Sequence, residues 1–240
     1  MPARFTRKYL STRYDVSIVR EDDWHAYSAE KTAEYLTMHL REVNQASHWL
    51  LNAGAGVYEL KVGDWREISL DLFTAPIRNR RPYAICGSVS DLPIKSRTCG
   101  AVVCVGEVLA YCDPSTAIAE FARVLVPTGT LVCDFGNSRS FRYWFTHAYG
   151  RFADLVMDSY NGSPERIWVY DPDYITQLLE AQGFRIKAKM GIHNWSALAR
   201  RCGLSMKAAT NFQRRLEQIQ FSRRWADVMT IVAERDGNEK

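Results

Sequence analysis

The sequence predicts an α/β fold: a mostly parallel, seven-stranded sheet with helices on both faces and an antiparallel last strand. Short apolar runs recur along the chain without polar alternation, as strands covered on both faces do. Segments with three- and four-residue apolar spacing fall between several of them, and these carry recognisable start and stop residues. Alternation of this kind argues for parallel strands joined by crossover helices.

Ala29, Ala33, Leu36, Leu40 and Val43 recur at helical spacing and predict an N-terminal helix with one buried face. His48 to Ala53 reads as a strand running into a tight turn at Gly54 and Gly56. Ile68 to Leu72, Tyr83 to Cys86, Ala101 to Val105 and Thr130 to Phe135 supply four more strands. Asp113 followed by Pro114 is an N-cap with proline at the first helical position; Ala117 to Leu125 follows as helix, and Pro127-Thr128-Gly129 then turns the chain. Asp171-Pro172 repeats this grammar, with Ile175, Leu178 and Leu179 on one face and Gly183 as a left-handed stop. Phe184 to Met190 alternates apolar and basic residues, the pattern of a half-exposed antiparallel or edge strand, and Val228 to Ala233 is the last strand.

A chain of 240 residues, 47% hydrophobic and 24% charged, suffices for one domain over 1–240. Residues 1–45 read as a helical lid. Met1 to Leu10 holds three basic residues and no apolar core, unlike a secretory leader, and no apolar run is long enough to span a membrane. The six cysteines show no metal-ligand spacing, so reduced thiols in the cytoplasm and no metal are expected.

Two stretches fall outside the alternation: 137–170, rich in aromatics, and 194–224, basic and helical. Both follow the C-terminal ends of strands, where open α/β sheets bind ligands, and are expected to cap a substrate. For most of the aromatics, packing onto the sheet is the simpler explanation. Trp195 to Trp225 carries seven basic residues and one acid, net +6, leaving −2 for the rest of a +4 chain. Such a segment suits an anionic or nucleic-acid partner, or equally a solvated helix face.

The most informative stretch is Trp49-Leu50-Leu51-Asn52-Ala53-Gly54-Ala55-Gly56. A strand ending in Gly-x-Gly lets a ligand approach backbone where a side chain would collide, and Asp71, ending the next strand, can accept from both hydroxyls of a ribose. NAD, FAD and S-adenosylmethionine all fit that pair. A pyrophosphate is disfavoured, because the turn continues Val57-Tyr58-Glu59 with a carboxylate and no third glycine. No GxxxxGK[ST] is present, which removes the P-loop triphosphatases.

The order of segments at this point resembles the class I S-adenosylmethionine-dependent methyltransferases, a Rossmann-like family, over residues 48–135 and 171–233. Leu51 to Gly56 is similar to their glycine-rich first motif, Leu70-Asp71-Leu72 to the ribose-binding acid, and Gly87-Ser88-Val89-Ser90-Asp91-Leu92-Pro93 to G-D-A-x-x-L-P. Ala101 to Gly106 resembles the fourth strand, and Glu120 to Gly129 the E-x-x-R-V-L-x-P-G-G helix exit. Asn52, Ser88, Gly100 and Thr128 depart from that pattern. Only residues 57–66 link the first two strands, so the first crossover helix is expected to be short or nearly absent.

The resemblance implies S-adenosylmethionine as cofactor. Gly54 and Gly56, with Asn52 and Ala55 beside them, would border its methionine portion and Asp71 would hold the ribose. Leu72 would pack on the adenine, Ser88 and Val89 would line its pocket, and Val105 and Gly106 would pass beneath the sulfonium. Methyl transfer then needs an aligned nucleophile and a place for its proton. Glu107 and His147 are the expected contributors, with His193, Tyr14 and Tyr27 also in reach; for each, a salt bridge or surface role competes. The expected acceptor is a hydroxyl or amine of a small molecule. A nucleic-acid or protein acceptor, drawn by the basic segment, and a catalytically inactive scaffold are the alternatives. Against base methylation, the fourth strand exits as Cys104-Val105-Gly106-Glu107, without the [DNS]-P-P-[YFW] signature that grips an exocyclic amine.

Overall fold

The computed structural model describes residues 22–41, 48–56, 60, 62–73, 77, 83–160, 163–216 and 220–237. Helix α1 (Asp23–Leu40) precedes β1 (Trp49–Ala53), β2 (Arg66–Asp71), β3 (Ala84–Cys86) and β4 (Cys99–Cys104). Then come α2 (Pro114–Val124), β5 (Leu125–Gly136), β6 (Ala153–Tyr160), β7 (Ser163–Tyr170) and α3 (Pro172–Ala181). The described chain closes with β8 (Phe184–Ile192), α4 (Asn194–Arg201), α5 (Met206–Arg215) and β9 (Val228–Arg235).

Seven strands form one sheet in the order β3-β2-β1-β4-β5-β9-β8, and β6 pairs with β7 as a separate hairpin. The pairings among β1 to β5 are parallel, whereas β9 runs antiparallel to both β5 and β8. Alternate residues of the central strands serve opposite faces. Leu51, Val102, Leu131 and Cys133 pack with Ile118 and Phe121 of α2 and Ile175 and Leu179 of α3. Leu50, Ala101, Val103 and Val132 pack with Leu36 and Leu40 of α1. Burying each such leucine contributes about 1.5–3 kcal/mol, so α1 is a structural layer of the domain.

The expected caps are present. Asp113 accepts from the Ser115 amide at 2.9 Å, Asp171 from that of Asp173 at 2.8 Å, and Gly183 turns with φ +77°. The described part of the β1–β2 crossover contains no helix. Leu60, Val62 and Trp65 from that crossover instead pack beside Leu36 and Leu40, so α1 covers the sheet face there.

Several details differ from the sequence reading. In α1, Ala29 and Ala33 are exposed, and Tyr27 joins Leu36 and Leu40 on the buried side; Tyr14 and Val43 lie outside the described residues. β5 begins directly after α2, and its pairing with β4 jumps from Leu125 to Thr130, so the Pro127-Thr128-Gly129 turn is a bulge inside the strand, with Thr128 at φ +63°. In 194–224, where Trp195, Leu198 and Cys202, then Phe212, Leu216 and Ile219, recur at helical spacing, α4 and α5 instead bury Ser196, Ala197, Ala199, Ala209 and Gln213, while Cys202 and Phe212 are exposed; Ile219 is not described. Small residues win there because the two helices pack closely on each other and on the turn at Phe141–Tyr143. The 137–170 stretch contains the β6–β7 hairpin, which the sequence reading missed. All six cysteines are unbridged, and no described helix is long and apolar enough to cross a membrane.

Candidate functional site

The Gly-x-Gly turn sits where β1 leaves the sheet. Gly54 has φ +75°, and its amide and that of Ala55 donate to the Leu70 carbonyl at 2.8 and 2.9 Å. A Cβ at position 54 would lie 2.3 Å from a methyl of Val108, so only glycine fits. Gly56, at φ +50°, borders open space. Its amide donates to one oxygen of Asp71 at 2.8 Å, and the Phe73 amide donates to the other at 2.9 Å. Asp71 therefore ties together the loops that follow β1 and β2. Each oxygen accepts one amide and keeps a second lone pair.

The neighbouring expected residues divide by role. Leu72 and Ser88 are half-buried, and Ser88 Oγ accepts from the Ser90 amide at 3.1 Å. Val89 is buried in the core, and Asn52, 3% exposed, donates from Nδ2 to Glu67 at 3.1 Å. Val105 packs on the α1 side of the sheet. Glu120 and Arg123 of the E-x-x-R motif clamp the loop holding Ser88: Glu120 accepts from the Leu92 amide at 2.7 Å, and Arg123 donates to the Leu92 and Ile94 carbonyls at 2.9 and 2.8 Å.

The exit of β4 is fixed from the adjacent strand. Asp134, 4% exposed on β5, accepts the Gly106 and Glu107 amides at 2.9 and 2.7 Å. Those hydrogen bonds hold two successive left-handed residues, Gly106 at φ +87° and Glu107 at φ +58°. Burial pushes the Asp134 carboxyl up to about 6 against the pull of the two amides. The Glu107 side chain then points toward Gly136, where a Cβ would stand 3.1 Å from its Oε2. Burial, followed by the carboxylates of Asp134, Asp227 and Asp158, holds Glu107 well above the usual carboxylate range, with Arg142 opposing. Arg142 pairs with Asp158 at 2.5 and 3.2 Å and with Asp227 at 3.5 Å. Asp227 also accepts from Ser140 Oγ at 2.9 Å. Tyr143 packs in the same group, and burial raises its phenol.

Two histidines from the sequence reading stand apart. His147 is 71% exposed, with Asp154 as its partner at 3.4 Å, and it is not among the groups acting on Glu107. His193, fully buried at φ +62°, stacks on Trp24 at 3.6 Å, and its ring nitrogens meet Ser28 Oγ at 2.7 Å and Ser196 Oγ at 2.9 Å. With both nitrogens engaged, His193 fastens α1 to α4 and leaves no site for a substrate proton. Tyr27 packs at its side, with the Arg214 guanidinium 5.0 Å over the tyrosine ring.

Burial lowers His193 from 6.5 to about 3. Below pH 6.5 the unfolded chain takes up a proton that the folded chain refuses, so this residue's stabilisation is lost as pH falls from 6.5 toward 3. Between pH 7.5 and 5.5 the wild type should lose about 1–1.5 kcal/mol more than H193N in urea unfolding. Equal losses would place the ring in a solvated setting.

Sequence reasoning missed Asp134, Arg142, Asp158 and Asp227 as members of this group. Asn161-Gly162, the dipeptide favoured in two-residue hairpins, was the available signal for the hairpin that carries Asp158. A hollow of about 520 Å³ lined by His48, Gly100, Thr128, Lys187 and Glu234 lies at the opposite edge of the sheet, where β4 and β5 begin, and does not adjoin the Gly54 turn.

Residues 47–133 match the family model described as "Methyltransferase domain", a stretch that includes β1 and the Gly54 turn, Asp71 and the β4 exit. Demethylmenaquinone methyltransferase of Deinococcus radiodurans is 30% identical over 112 residues, 42% of this chain and 46% of that protein, so the match spans under half of that curated relative. Among solved structures, the [4+2]-cyclase SpnF superposes with TM-score 0.65 at 14% identity, covering 99% of this chain and 98% of that one. Burkholderia thailandensis 1,6-didemethyltoxoflavin-N1-methyltransferase, solved with 1,6-didemethyltoxoflavin and S-adenosylhomocysteine, gives 0.57 at 16% identity over 95% and 86% of the two chains. These two likenesses are of fold. Together with the strand order, they show that the chain has the Rossmann-like fold of methyltransferases, within which residues 47–133 match that domain family.

Proposed function

We propose that this protein transfers a methyl group from S-adenosylmethionine to a hydroxyl or amine of a small molecule. The observation that carries this reading is Asp71: its carboxylate locks the Gly54–Gly56 turn while keeping lone pairs for a ribose, beside open space over Gly56 and Gly106. The residues fit the cofactor. Gly54, Ala55 and Gly56 would border its methionine portion, with Asn52 supporting the strand beneath. Leu72, Ser88 and Val89 would frame the adenine, and Val105 and Gly106 would underlie the sulfonium. When bound, the cofactor supplies an electrophilic methyl carbon.

The protein's own share is orientation and proton uptake. Glu107 is the group placed to take the acceptor's proton, because it leaves the sheet directly after Gly106. His147, at the exposed surface, takes no part in this reading. Tyr170 donates to the Leu109 and Cys112 carbonyls at 3.2 and 3.3 Å, which seats the β6–β7 hairpin over the β4 exit and supports a capping role for 137–170. The 194–224 segment, joined to α1 through His193, would complete that cap together with the N-terminal lid.

A small-molecule acceptor is favoured over nucleic acid because much of the basic segment is already engaged. Arg214 pairs with Glu30 at 2.6 Å, Arg201 donates to the Trp144 carbonyl at 3.2 Å, and Arg200 donates to the Leu204 carbonyl at 2.9 Å. The demethylmenaquinone and didemethyltoxoflavin methyltransferases act on small molecules by name. The test is calorimetry of the full chain with S-adenosylhomocysteine, for which binding at about micromolar affinity is expected. No heat at millimolar ligand would overturn the proposal and leave the inactive scaffold as the reading.

A further inference from the structure

We infer that this protein docks on the surface of a bilayer rich in anionic lipid. Phe145, Leu204 and Met206 enter the headgroup layer, and the basic residues around them meet its negative charge. Such docking is separate from the methyltransferase reading and stands without it.

The exposed apolar surface is concentrated. Among the described residues, every exposed large apolar side chain except Met38 and Tyr83 belongs to 137–170 or 194–224. Phe145 stands out: it is 94% exposed and holds φ +63°, a left-handed conformation unfavourable for a bulky residue. Burial explains neither feature; a partner outside the chain explains both. Phe145 and the α4–α5 turn share one surface. Arg201, ending α4, donates at 3.2 Å to the carbonyl of Trp144, whose neighbour in sequence is Phe145. Arg200 donates to the Leu204 carbonyl at 2.9 Å, and the Leu204 amide donates to the Ala199 carbonyl at 3.1 Å. These bonds fix the turn with Leu204 and Met206 exposed. A tip held rigid before contact loses little conformational entropy on docking.

Charge selects the partner. All seven basic residues between Trp195 and Trp225 are exposed, and that stretch holds one acid, Glu217. Arg214 is paired with Glu30. Arg200 and Arg201 donate to main-chain carbonyls, which orients their guanidiniums and leaves the positive charge uncompensated among the described residues. Arg224 lies 5.4 Å over the Trp225 ring, which is 6.4 Å from that of Trp144, so a cation flanks Phe145 on this side as well. Apolar side chains ringed by arginine and lysine fit an anionic membrane interface, where the rings and methylenes leave water while the cations stay among phosphates. A nucleic acid would offer phosphates to the arginines but no counterpart to Leu204 and Met206.

Flotation of the full chain with two sets of vesicles tests this at about 0.1 M salt. One set is phosphatidylcholine alone, and the other carries about one-third phosphatidylglycerol. The anionic vesicles should bind about tenfold or more tighter, and about 1 M salt should abolish the difference. F145G should weaken binding about tenfold or more while its thermal midpoint stays equal or rises, because glycine removes the ring and suits the left-handed backbone. K207Q/R215Q should weaken binding about tenfold and leave the apolar tip in place. Equal binding to both vesicles, binding to neither, or either variant binding like the wild type would each overturn the proposal. A lower midpoint in F145G would show that the ring serves the fold, and would overturn it too. So would self-association that F145G abolishes, or displacement of the anionic vesicles by a single-stranded oligonucleotide, since each assigns the surface to another partner.

Discussion

Asp71→Ala is expected to weaken S-adenosylhomocysteine binding by about a hundredfold, the loss of two charge-assisted hydrogen bonds to the ribose at roughly 1.5 kcal/mol each. The same carboxylate receives the Gly56 and Phe73 amides. Its removal therefore also releases the two loops between which the nucleoside would lie. D71N separates these contributions, because an amide retains one acceptor oxygen and turns a donor toward the other backbone N–H; its affinity should fall between those of the wild type and D71A. Circular dichroism should show both variants folded, since the strands themselves are packed from both faces. Calorimetry giving equal affinity for all three proteins would remove Asp71 from the site and with it the basis for placing the nucleoside there.

Arg142→Ala should destabilise the fold by about 2 kcal/mol at pH 8, less than the roughly 3–5 typical of a broken fully buried pair, because the Arg142 side chain is 38% exposed. The variant leaves Asp227 and Asp158 facing Glu107 without a countercharge. Burial already holds the Asp227 carboxyl above its usual range, with Arg142 acting against that rise, so losing the arginine raises it further. A carboxyl with a raised folded value keeps a proton that the unfolded chain has released. Its contribution is therefore fullest below the unfolded value and declines as pH rises through the folded one. The penalty of R142A should shrink on going from pH 8 to pH 5.5, as these carboxyls take up protons. Urea unfolding at the two pH values measures it, and a penalty independent of pH would mean that Arg142 does not counter these acids.

What the sequence made legible and what it hid follow from how each signal is encoded. Strands of five or six apolar residues, the Asp113-Pro114 and Asp171-Pro172 starts and the Gly183 stop are local codes, and each reappears in place. Gly54, Gly56 and Asp71 were legible for the same reason, since one turn and one strand end specify them. The group around Glu107 was not. Its members sit at 134, 142, 158 and 227, and only the return of β9 beside β5 and the fold-back of the hairpin bring them together. His193 misled because an imidazole at a strand end suits catalysis as well as it suits packing; Trp24 and Ser28, far earlier in the chain, decide between the two. The two exposed alanines of α1 show the limit of periodicity, since spacing marks a stripe but not which of its residues meet the sheet.

The sheet face left uncovered by the short first crossover is sealed by Leu36 and Leu40, which come before the 47–133 stretch that matches the methyltransferase domain. On its other flank, that stretch depends on β9, whose Val232 packs into the same apolar layer. The matched stretch is thus not a self-sufficient module: cut out alone, it would present bare valines and leucines to water. Sequence swapped in from a relative would have to bring matching partners from both ends of the polypeptide.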